Sequence, residues 1–304
     1  MNKVIIDTDL GTDIDDAMAI SLAMKSPEIE VVGVTTVYGD SKYRAQLAAR
    51  LIELGGCEYD VYAGIDKPLL GKRSIFMAGN EGEGAQEDLD YQFKDTHAVD
   101  FLIEQVMTNP GEITIVAIGP LTNIAVAMIK EPYFAANIKE LVIMGGSVRL
   151  GPNSLNPMVW AEEHNIVCDP ESAEIVFSSG ANIYMVGLDV TMMLNIGDVE
   201  YKLLKESESP VNNLLGDMLA DWMVFVKEMF GDDKTYMHDP LALACSFDKS
   251  FVTFEPMDIE VRYTDKERTG QTIGRLNPDS NIKVALEVEN TRFIDFLFKR
   301  LLGE

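Results

Sequence analysis

The stretch KVIIDTDLGTDIDDAMAI, residues 3–20, decides the fold of this chain. It opens with Val4, Ile5 and Ile6, a short β-branched run of the kind that forms a buried strand. Gly11 then lets the chain turn sharply, and an apolar segment that begins near Ala17 predicts a helix. A strand, a tight loop and a helix in this order form the first half of a βαβ unit.

The same alternation of short apolar runs and amphipathic runs continues through the first two thirds of the chain. The runs at residues 31–37 and 113–118 are rich in β-branched side chains and show no polar alternation, which indicates strands buried on both faces. We therefore predict an α/β fold, an open and mostly parallel sheet flanked by helices, with a Rossmann-like core.

The pattern changes after residues 183–190. A long helical stretch covers about residues 210–230, and strand-like segments with a turn at Thr269 and Gly270 follow it. We expect a C-terminal helical insertion and a hairpin. No linker rich in proline, glycine or serine separates the two parts, which predicts a single domain over residues 1–304.

The charge of the chain is strongly negative, because 50 acidic residues face 25 basic ones and give a net charge of −25. Binding to a nucleic-acid backbone depends on clustered lysine and arginine, so this balance argues against a nucleic-acid partner and favours neutral or cationic ligands. The apolar runs have strand length and fall short of the roughly 18 residues that a membrane span needs. A solvated, solubilising surface accounts for most of the acidic residues.

Three cysteines, Cys57, Cys168 and Cys245, lie far apart in the sequence. This spacing disfavours a disulfide framework and a cysteine-based zinc site. The chain begins with a polar, strand-like segment and shows no apolar core of a secretory signal. We expect a reduced protein in the cytoplasm.

Carboxylates crowd the first strand end, where five of them fall within ten residues: Asp7, Asp9, Asp13, Asp15 and Asp16. Asp13 and Asp15 have an alternative explanation, since acidic residues cap helices and favour their first turn. Asp7 and Asp9 sit on the strand end itself and lack this explanation. Clustered carboxylates without nearby histidine or cysteine suit a hard cation, Ca²⁺ or Mg²⁺.

A second candidate is the run His238-Asp239-Pro240 before an apolar segment. Aspartate at a helix cap followed by proline is an ordinary helix start, and we read the run Asp169-Pro170 only in that way. The adjacent imidazole distinguishes Asp239, because it joins a carboxylate and a titratable ring at one helix start. For the other histidines, His97 and His164, packed or surface positions are expected.

A third candidate is the pair Glu163 and Asn165, at the end of the long segment 147–162. On an extended segment these side chains point the same way and can bind vicinal hydroxyls, although a polar turn explains them equally well. The segments 69–91 and 147–162 both resist assignment to a helix or strand. Both follow predicted strands, so we expect them at the carboxyl edge of the sheet, where α/β proteins bind ligands.

Taken together, these motifs resemble the inosine-uridine-preferring nucleoside hydrolase family. The resemblance begins with Asp7-Thr8-Asp9-Leu10-Gly11 and Asp15-Asp16-Ala17 and extends in order over nearly the whole chain. It continues through the runs TTVYGD (35–40), IGPLTNIA (118–125), LVIMGG (141–146), AEEHNIVCDPESA (161–173), MVGLDVT (185–191) and HDP (238–240). It implies an open α/β protein with one Ca²⁺ that forms a homodimer or homotetramer and hydrolyses ribonucleosides to ribose and a free base.

The resemblance also implies roles for individual residues. The calcium ligands would be Asp9, Asp16, Asp239 and the backbone carbonyl of Ile118. Ribose would contact the following residues: Asp15, Asp40, Met144, Glu163 and Asn165. His238 would lie near the leaving base, and Asp7 would orient the calcium ligands.

The chain departs from the family pattern in three places. Residues 12–14 lengthen the aspartate loop by two positions, which makes Asp13 a candidate to replace a neighbour. Asp40 stands where asparagine is usual, and a histidine expected near residues 78–80 is missing.

A hydrolytic mechanism follows from these residue types. Asp9 is the candidate base for an attacking water, and an acidic pocket favours the positive charge that develops on the sugar. His238 is the candidate proton donor to the leaving base. Two alternatives remain: a catalytically silent nucleoside- or sugar-binding protein, and a Mg²⁺-dependent phosphotransferase of the haloacid-dehalogenase type, whose motif requires threonine or valine where Gly11 stands.

Overall fold

The computed structural model describes residues 1–71, 73–75, 90–157, 159–264 and 269–303. In this part of the chain the strands are β1 (Asn2–Thr8), β2 (Ile29–Thr36), β3 (Val61–Ala63), β4 (Ile113–Ala117), β5 (Glu140–Met144), β6 (Ile183–Val186), β7 (Asn195–Ile196), β8 (Thr235–Tyr236), β9 (Val252–Arg262), β10 (Gln271–Leu276) and β11 (Ile282–Val288).

The helices complete the alternation expected from the sequence. They are α1 (Asp15–Met24), α2 (Ser41–Leu54), α3 (Ala98–Thr108), α4 (Thr122–Lys130), α5 (Phe134–Asn137), α6 (His164–Cys168), α7 (Pro170–Phe177), α8 (Leu188–Thr191), α9 (Asp198–Glu206), α10 (Pro210–Phe230), α11 (His238–Cys245) and α12 (Asn290–Leu302). A 3₁₀ turn, Lys249–Phe251, precedes β9.

Within the described ranges, nine strands form one sheet in the order β10-β9-β11-β6-β5-β4-β1-β2-β3. Strands β1 to β6 and β11 pair in parallel, and β9 runs antiparallel to both of its neighbours. The order 3-2-1-4-5-6 reverses between β1 and β4, and ligands bind at such a switch point in open α/β sheets. The predicted open, mostly parallel sheet is confirmed.

Both faces of the sheet are covered. Val4 and Ile6 of β1 belong to one apolar core, whereas Ile5 between them belongs to the other. Helices α1, α2, α11 and α12 contribute to the first core, and α3, α4 and α7 contribute to the second. Strands buried on both faces explain why the runs of β1, β4 and β5 lack polar alternation.

The C-terminal third follows its predicted pattern, and its hairpin is part of the main sheet. Helices α9 and α10 form the insertion, and α10 begins at Pro210 with Ser209 as its N-cap. Strands β9 and β10 form the hairpin, with Arg262 opposite Gln271. Because β9 also pairs with β11, the hairpin extends the main sheet. Among the described helices, none combines the length and hydropathy that crossing a membrane requires.

Candidate functional site

The predicted site residues gather at the carboxyl edge of the sheet, around the switch point. Asp9 follows β1, Ile118 follows β4, and Met144 ends β5. Asp15 and Asp16 open α1, and His238 and Asp239 open α11. The starts of α1 and α11 thus bring together residues that are more than 200 positions apart in the sequence, because the Asp239 N–H donates to the Asp15 carboxylate at 3.2 Å.

Four buried carboxylates form the centre of the site, which we call the carboxylate cluster: Asp9, Asp15, Asp16 and Asp239. Each is at most 5% exposed. Ligand oxygens of Asp15, Asp16 and Asp239 lie within 4.8 Å of one another, so the described structure groups Asp15, rather than Asp9, most tightly with the predicted ligands. Two helix N-termini, of α1 and α11, converge here, and their dipoles favour negative charge.

The pKa values of the cluster reflect the burial of its carboxyl groups and the repulsion between them. Burial raises the pKa of Asp15, Asp16 and Asp239 well above the usual range, and the neighbouring carboxylates raise it further. Burial likewise raises the pKa of Asp13 to about 8. A cation among these oxygens would relieve both effects, and an all-oxygen donor set suits a hard divalent ion. The residues present therefore fit the predicted metal.

The turn after β4 approaches Asp9 closely. A Cβ atom at Gly119 would lie 2.9 Å from both the backbone nitrogen and Oδ1 of Asp9, and 3.0 Å from Cγ1 of Val37. Only glycine leaves room for this approach. The neighbouring Ile118 carbonyl, the predicted backbone ligand, accepts the Asn165 side-chain amide at 3.1 Å and retains a second lone pair.

Asp7 lies behind the cluster and makes different contacts from those expected. Its Oδ1 accepts hydrogen bonds from Thr35 at 2.5 Å and Asn123 at 2.8 Å. Its Oδ2 is buried without a partner in the part of the chain that is described. Burial raises the pKa of Asp7 to about 7. None of these side-chain hydrogen bonds reaches a cluster carboxylate, so the orienting role predicted for Asp7 is left without a visible contact.

Glu163 and Asn165 lie beside the cluster in a conformation that differs from the extended segment we expected. Glu163 is the N-cap of α6 and accepts backbone N–H groups from Asn165 at 2.8 Å, Gly146 at 3.0 Å and Ile166 at 3.1 Å. Asn165 is already inside the helix. The Glu163 carboxylate accepts the N–H groups of the first turn of α6, and the short helix turns both side chains toward the carboxyl edge of the sheet.

Two further contacts define this side of the site. The Asn165 amide donates to the Met144 carbonyl at 3.2 Å as well as to Ile118. It therefore joins the ends of β4 and β5. Glu163 uses one lone pair of Oε1 and two of Oε2 for the backbone, which leaves an acceptor position on Oε1 for a ligand hydroxyl.

His238 is half-buried at the start of α11. Its Nδ1 lies 2.7 Å from the hydroxyl of Thr191, and burial lowers its pKa to about 4. The ring is therefore neutral at neutral pH. When the Thr191 hydroxyl donates to Nδ1, the proton of the neutral ring resides on Nε2, which becomes a hydrogen-bond donor.

The other predicted residues have simpler surroundings. Asp40 is exposed and caps α2 by accepting the Tyr43 N–H at 3.0 Å. His97 caps α3, and His164 is exposed near Cys168. Asp169 caps α7 as predicted, and it also accepts the Leu69 N–H at 2.8 Å. The missing loop histidine concerns residues 78–80, which lie outside the described residues.

Arg44 was not predicted as part of the site. It is 1% exposed and donates to the backbone oxygens of Asp9 and Leu10, to that of Tyr38, and to the Thr12 hydroxyl. It thereby shapes the aspartate loop. Its position in α2 gives a detectable signal, because residue 44 shares a helix face with the buried residues Ala48 and Leu51.

The comparisons with known proteins agree with this geometry. The family model of the inosine-uridine preferring nucleoside hydrolases matches residues 4–295. The chain is 34% identical over 293 residues to the probable uridine nucleosidase 2 of Oryza sativa subsp. japonica, a match that covers 92% of this chain and 83% of that protein.

Two solved structures superpose over almost the full length. A plant nucleoside hydrolase, the PpNRh1 enzyme, has a TM-score of 0.89 and 33% identity, with 100% of this chain and 99% of that chain covered. A purine-preferring ribonucleoside hydrolase from Gardnerella vaginalis has a TM-score of 0.89 and 31% identity, with coverage of 99% and 98%.

Proposed function

The chain belongs to the inosine-uridine preferring nucleoside hydrolase family and hydrolyses ribonucleosides to ribose and a free base, and from that premise we propose that the reaction takes place at the carboxylate cluster. The observation that carries this proposal is the juxtaposition of buried carboxylates with Glu163 and Asn165 at the switch point of the sheet. One part can hold a cation, and the other offers hydrogen-bonding groups to a sugar.

The cation of the proposal is Ca²⁺. Asp9, Asp16, Asp239 and the carbonyl of Ile118 would hold it, and Asp15 lies close enough to Asp16 and Asp239 to join them. Bound there, Ca²⁺ would neutralise the carboxylates and polarise a water beside the ribose. The raised pKa values of the cluster support a site that requires such a charge.

Asp9 is the proposed catalytic base. It accepts a proton from the water that attacks the anomeric carbon. Its carboxylate is 5% exposed and is confined by Gly119, which supports a fixed orientation. Positive charge develops on the sugar as the bond to the base breaks, and the carboxylates of Asp15 and Glu163 stabilise that charge in a pocket sheltered from water.

The ribose hydroxyls form hydrogen bonds with the other polar side chains of the site. Glu163 offers the open acceptor position on Oε1, and the Asn165 amide lies between the ends of β4 and β5 beside Met144. Asp15 would accept a hydrogen bond from a further ribose hydroxyl. Asp40, which stands where asparagine is usual in the family, is a further proposed ribose contact.

His238 is the proposed donor to the leaving base. The contact between its Nδ1 and the Thr191 hydroxyl supports a neutral ring that donates from Nε2. A hydrogen bond to a ring nitrogen or carbonyl of the base offsets the negative charge that develops as the bond breaks.

Three broader features belong to the same proposal. A single domain is supported by the sheet, whose strands run from Asn2 to Val288. A reducing cytoplasmic location is supported by three free cysteines, Cys57, Cys168 and Cys245. Assembly into a homodimer or homotetramer rests on the family resemblance.

The test is an assay of free ribose after incubation with inosine, uridine, cytidine and adenosine. We expect ribose from at least one of them, and its loss in Asp9→Asn. Asp217→Asn is the matched control, since Asp217 is exposed and pairs with Lys205.

Two other outcomes would overturn the assignment. Hydrolysis of a phosphomonoester without ribose release would indicate the phosphotransferase alternative. Nucleoside binding without any release of ribose would indicate a catalytically silent binding protein.

A further inference from the structure

The C-terminal hairpin packs against the segment that carries Glu163. Glu162 forms an antiparallel bridge with Gln271 of β10. A Cβ atom at Gly270 would lie 2.5 Å from Cγ2 of Val167, and one at Gly274 would lie 2.8 Å from Cγ1 of Val148. The hairpin therefore touches the chain at both ends of the long segment 147–162.

Thr272 makes the polar contact at the centre of this packing. It is 3% exposed, and its Oγ1 both accepts the Ser147 N–H at 2.8 Å and donates to the Ser147 carbonyl at 2.9 Å. A single hydroxyl thus holds both backbone polar groups of one residue. This pair of bonds fixes the orientation of the Ser147 backbone more firmly than either bond alone.

The residue before Ser147 transmits this constraint to the site. Gly146 has a φ of 76°, a left-handed conformation that favours glycine, and its N–H donates to Oε2 of Glu163 at 3.0 Å. A Cβ atom at Gly146 would lie 3.0 Å from Oγ1 of Thr272, which shows how closely the three residues pack. The orientation of the Gly146 backbone therefore depends on the anchored Ser147.

We propose that Thr272 is a positioning residue for ribose binding, which acts through Ser147 and Gly146 to hold the Glu163 carboxylate. The inference rests on the proposed role of Glu163 as a ribose contact. With Oε2 held by Gly146 and Ile166, the free acceptor position of Oε1 keeps one direction relative to the sugar. Loss of the Thr272 hydroxyl leaves the orientation of the Glu163 carboxylate less restricted, and it removes no group that touches the substrate.

The test compares steady-state kinetics of Thr272→Val and Thr272→Ser on the nucleoside that releases ribose fastest. We expect Thr272→Val to raise KM about three- to tenfold, the size of a lost buried hydrogen bond, with a smaller change in kcat. Thr272→Ser keeps the hydroxyl and should therefore keep KM at the wild-type value. The preference for the ribonucleoside over its deoxyribose analogues should fall in Thr272→Val, because Glu163 is the group through which Thr272 acts.

Thr114→Val is the matched control. Thr114 is fully buried in β4, and its hydroxyl has no hydrogen-bond partner among the described residues. The same change there should leave KM and sugar preference as in the wild type. If Thr272→Val does not fold, Thr272→Ala removes the same hydroxyl without adding a methyl group and carries the same expectation.

Glu163→Gln separates the failure of this inference from the failure of the proposed function. If Glu163→Gln raises KM and Thr272→Val leaves it unchanged, the inference is wrong and the ribose role of Glu163 stands. If Thr272→Val and Thr114→Val change KM alike, Thr272 has only a structural role. An unchanged KM in Glu163→Gln overturns the ribose role and the inference with it.

Discussion

At the scale of single residues, the proposed role of the His238 imidazole is to assist the departure of the base. Its Nδ1 is held by the Thr191 hydroxyl at 2.7 Å, which directs Nε2 away from that contact. Burial keeps the ring neutral by lowering its pKa to about 4. We therefore propose that His238 donates a hydrogen bond that matters most when the leaving group is poor.

Replacing His238 by alanine should slow natural nucleosides far more than p-nitrophenyl riboside, whose leaving group needs no proton. We expect a loss in kcat of about a hundredfold or more on the nucleoside, the lower range for general acid catalysis. Thr191→Val should show the same selectivity to a smaller degree. The measurement is kcat on both substrates, and equal losses would contradict the role.

The site residues differ in how far the sequence could predict them. Asp9, Asp16 and Asp239 are recognisable because a motif, a strand end or a helix start marks each of them. The helical spacing indicates that Arg44 is buried, but no local pattern ties Arg44 or Thr272 to the site, because their partners Asp9 and Ser147 lie 35 and 125 positions away. Only the folded chain shows that these two residues shape the site.

At the scale of structural elements, the turn after β4 must lie close to the end of β1 for the carboxylate cluster to form. Gly119→Ala would place a methyl group 2.9 Å from the backbone nitrogen and Oδ1 of Asp9, so one of the two turns must move. We expect weaker Ca²⁺ binding and a kcat reduced about tenfold or more, since small misplacements of a catalytic group are costly.

Gly197→Ala is the control for this change, because among the described residues a Cβ atom there would meet only Asp233 O at 3.5 Å and Lys234 Cγ at 4.0 Å. Calorimetric titration with Ca²⁺ and the rate of ribose release measure the two effects. Wild-type affinity and rate in Gly119→Ala would show that the close approach of the two turns is unimportant.

The elements themselves were predicted where burial leaves a periodic pattern. The core strands β1, β2 and β4 and the long helix α10 follow from apolar runs of the right length. The two-residue strands β7 and β8 are too short to leave any pattern. The pairing of the hairpin with β11 also cannot be predicted from the local sequence, because the whole sheet decides which strands pair.

At the scale of the whole molecule, the net charge of −25 has two consequences. Most acidic residues face solvent, where salt screens their repulsion. The carboxylate cluster is shielded from solvent, and it resists ionisation unless a cation is present. A carboxyl group whose pKa is raised in the folded state contributes stability that is fully present below its pKa in the unfolded state, near pH 4. This stability is lost as the pH rises through the pKa of the group in the folded state.

In the metal-free protein, the contribution of Asp13, whose pKa burial raises to about 8, is lost between about pH 4 and pH 8. Burial raises the pKa of Asp15, Asp16 and Asp239 well above the usual range, so their contributions are also lost as the pH rises above about 4. The proposed Ca²⁺ would bind the ionised cluster and stabilise the folded state by mass action. Its effect on the unfolding temperature should therefore be larger at pH 8 than at pH 5.

The most direct measurement is to strip the protein with a chelator and then titrate it with Ca²⁺ at pH 8, following ribose release and unfolding temperature together. The prediction is that stripping abolishes ribose release and lowers the unfolding temperature, and that Ca²⁺ restores both in wild type but not in Asp239→Asn. Full ribose release from the stripped protein, or equal restoration in Asp239→Asn, would contradict it.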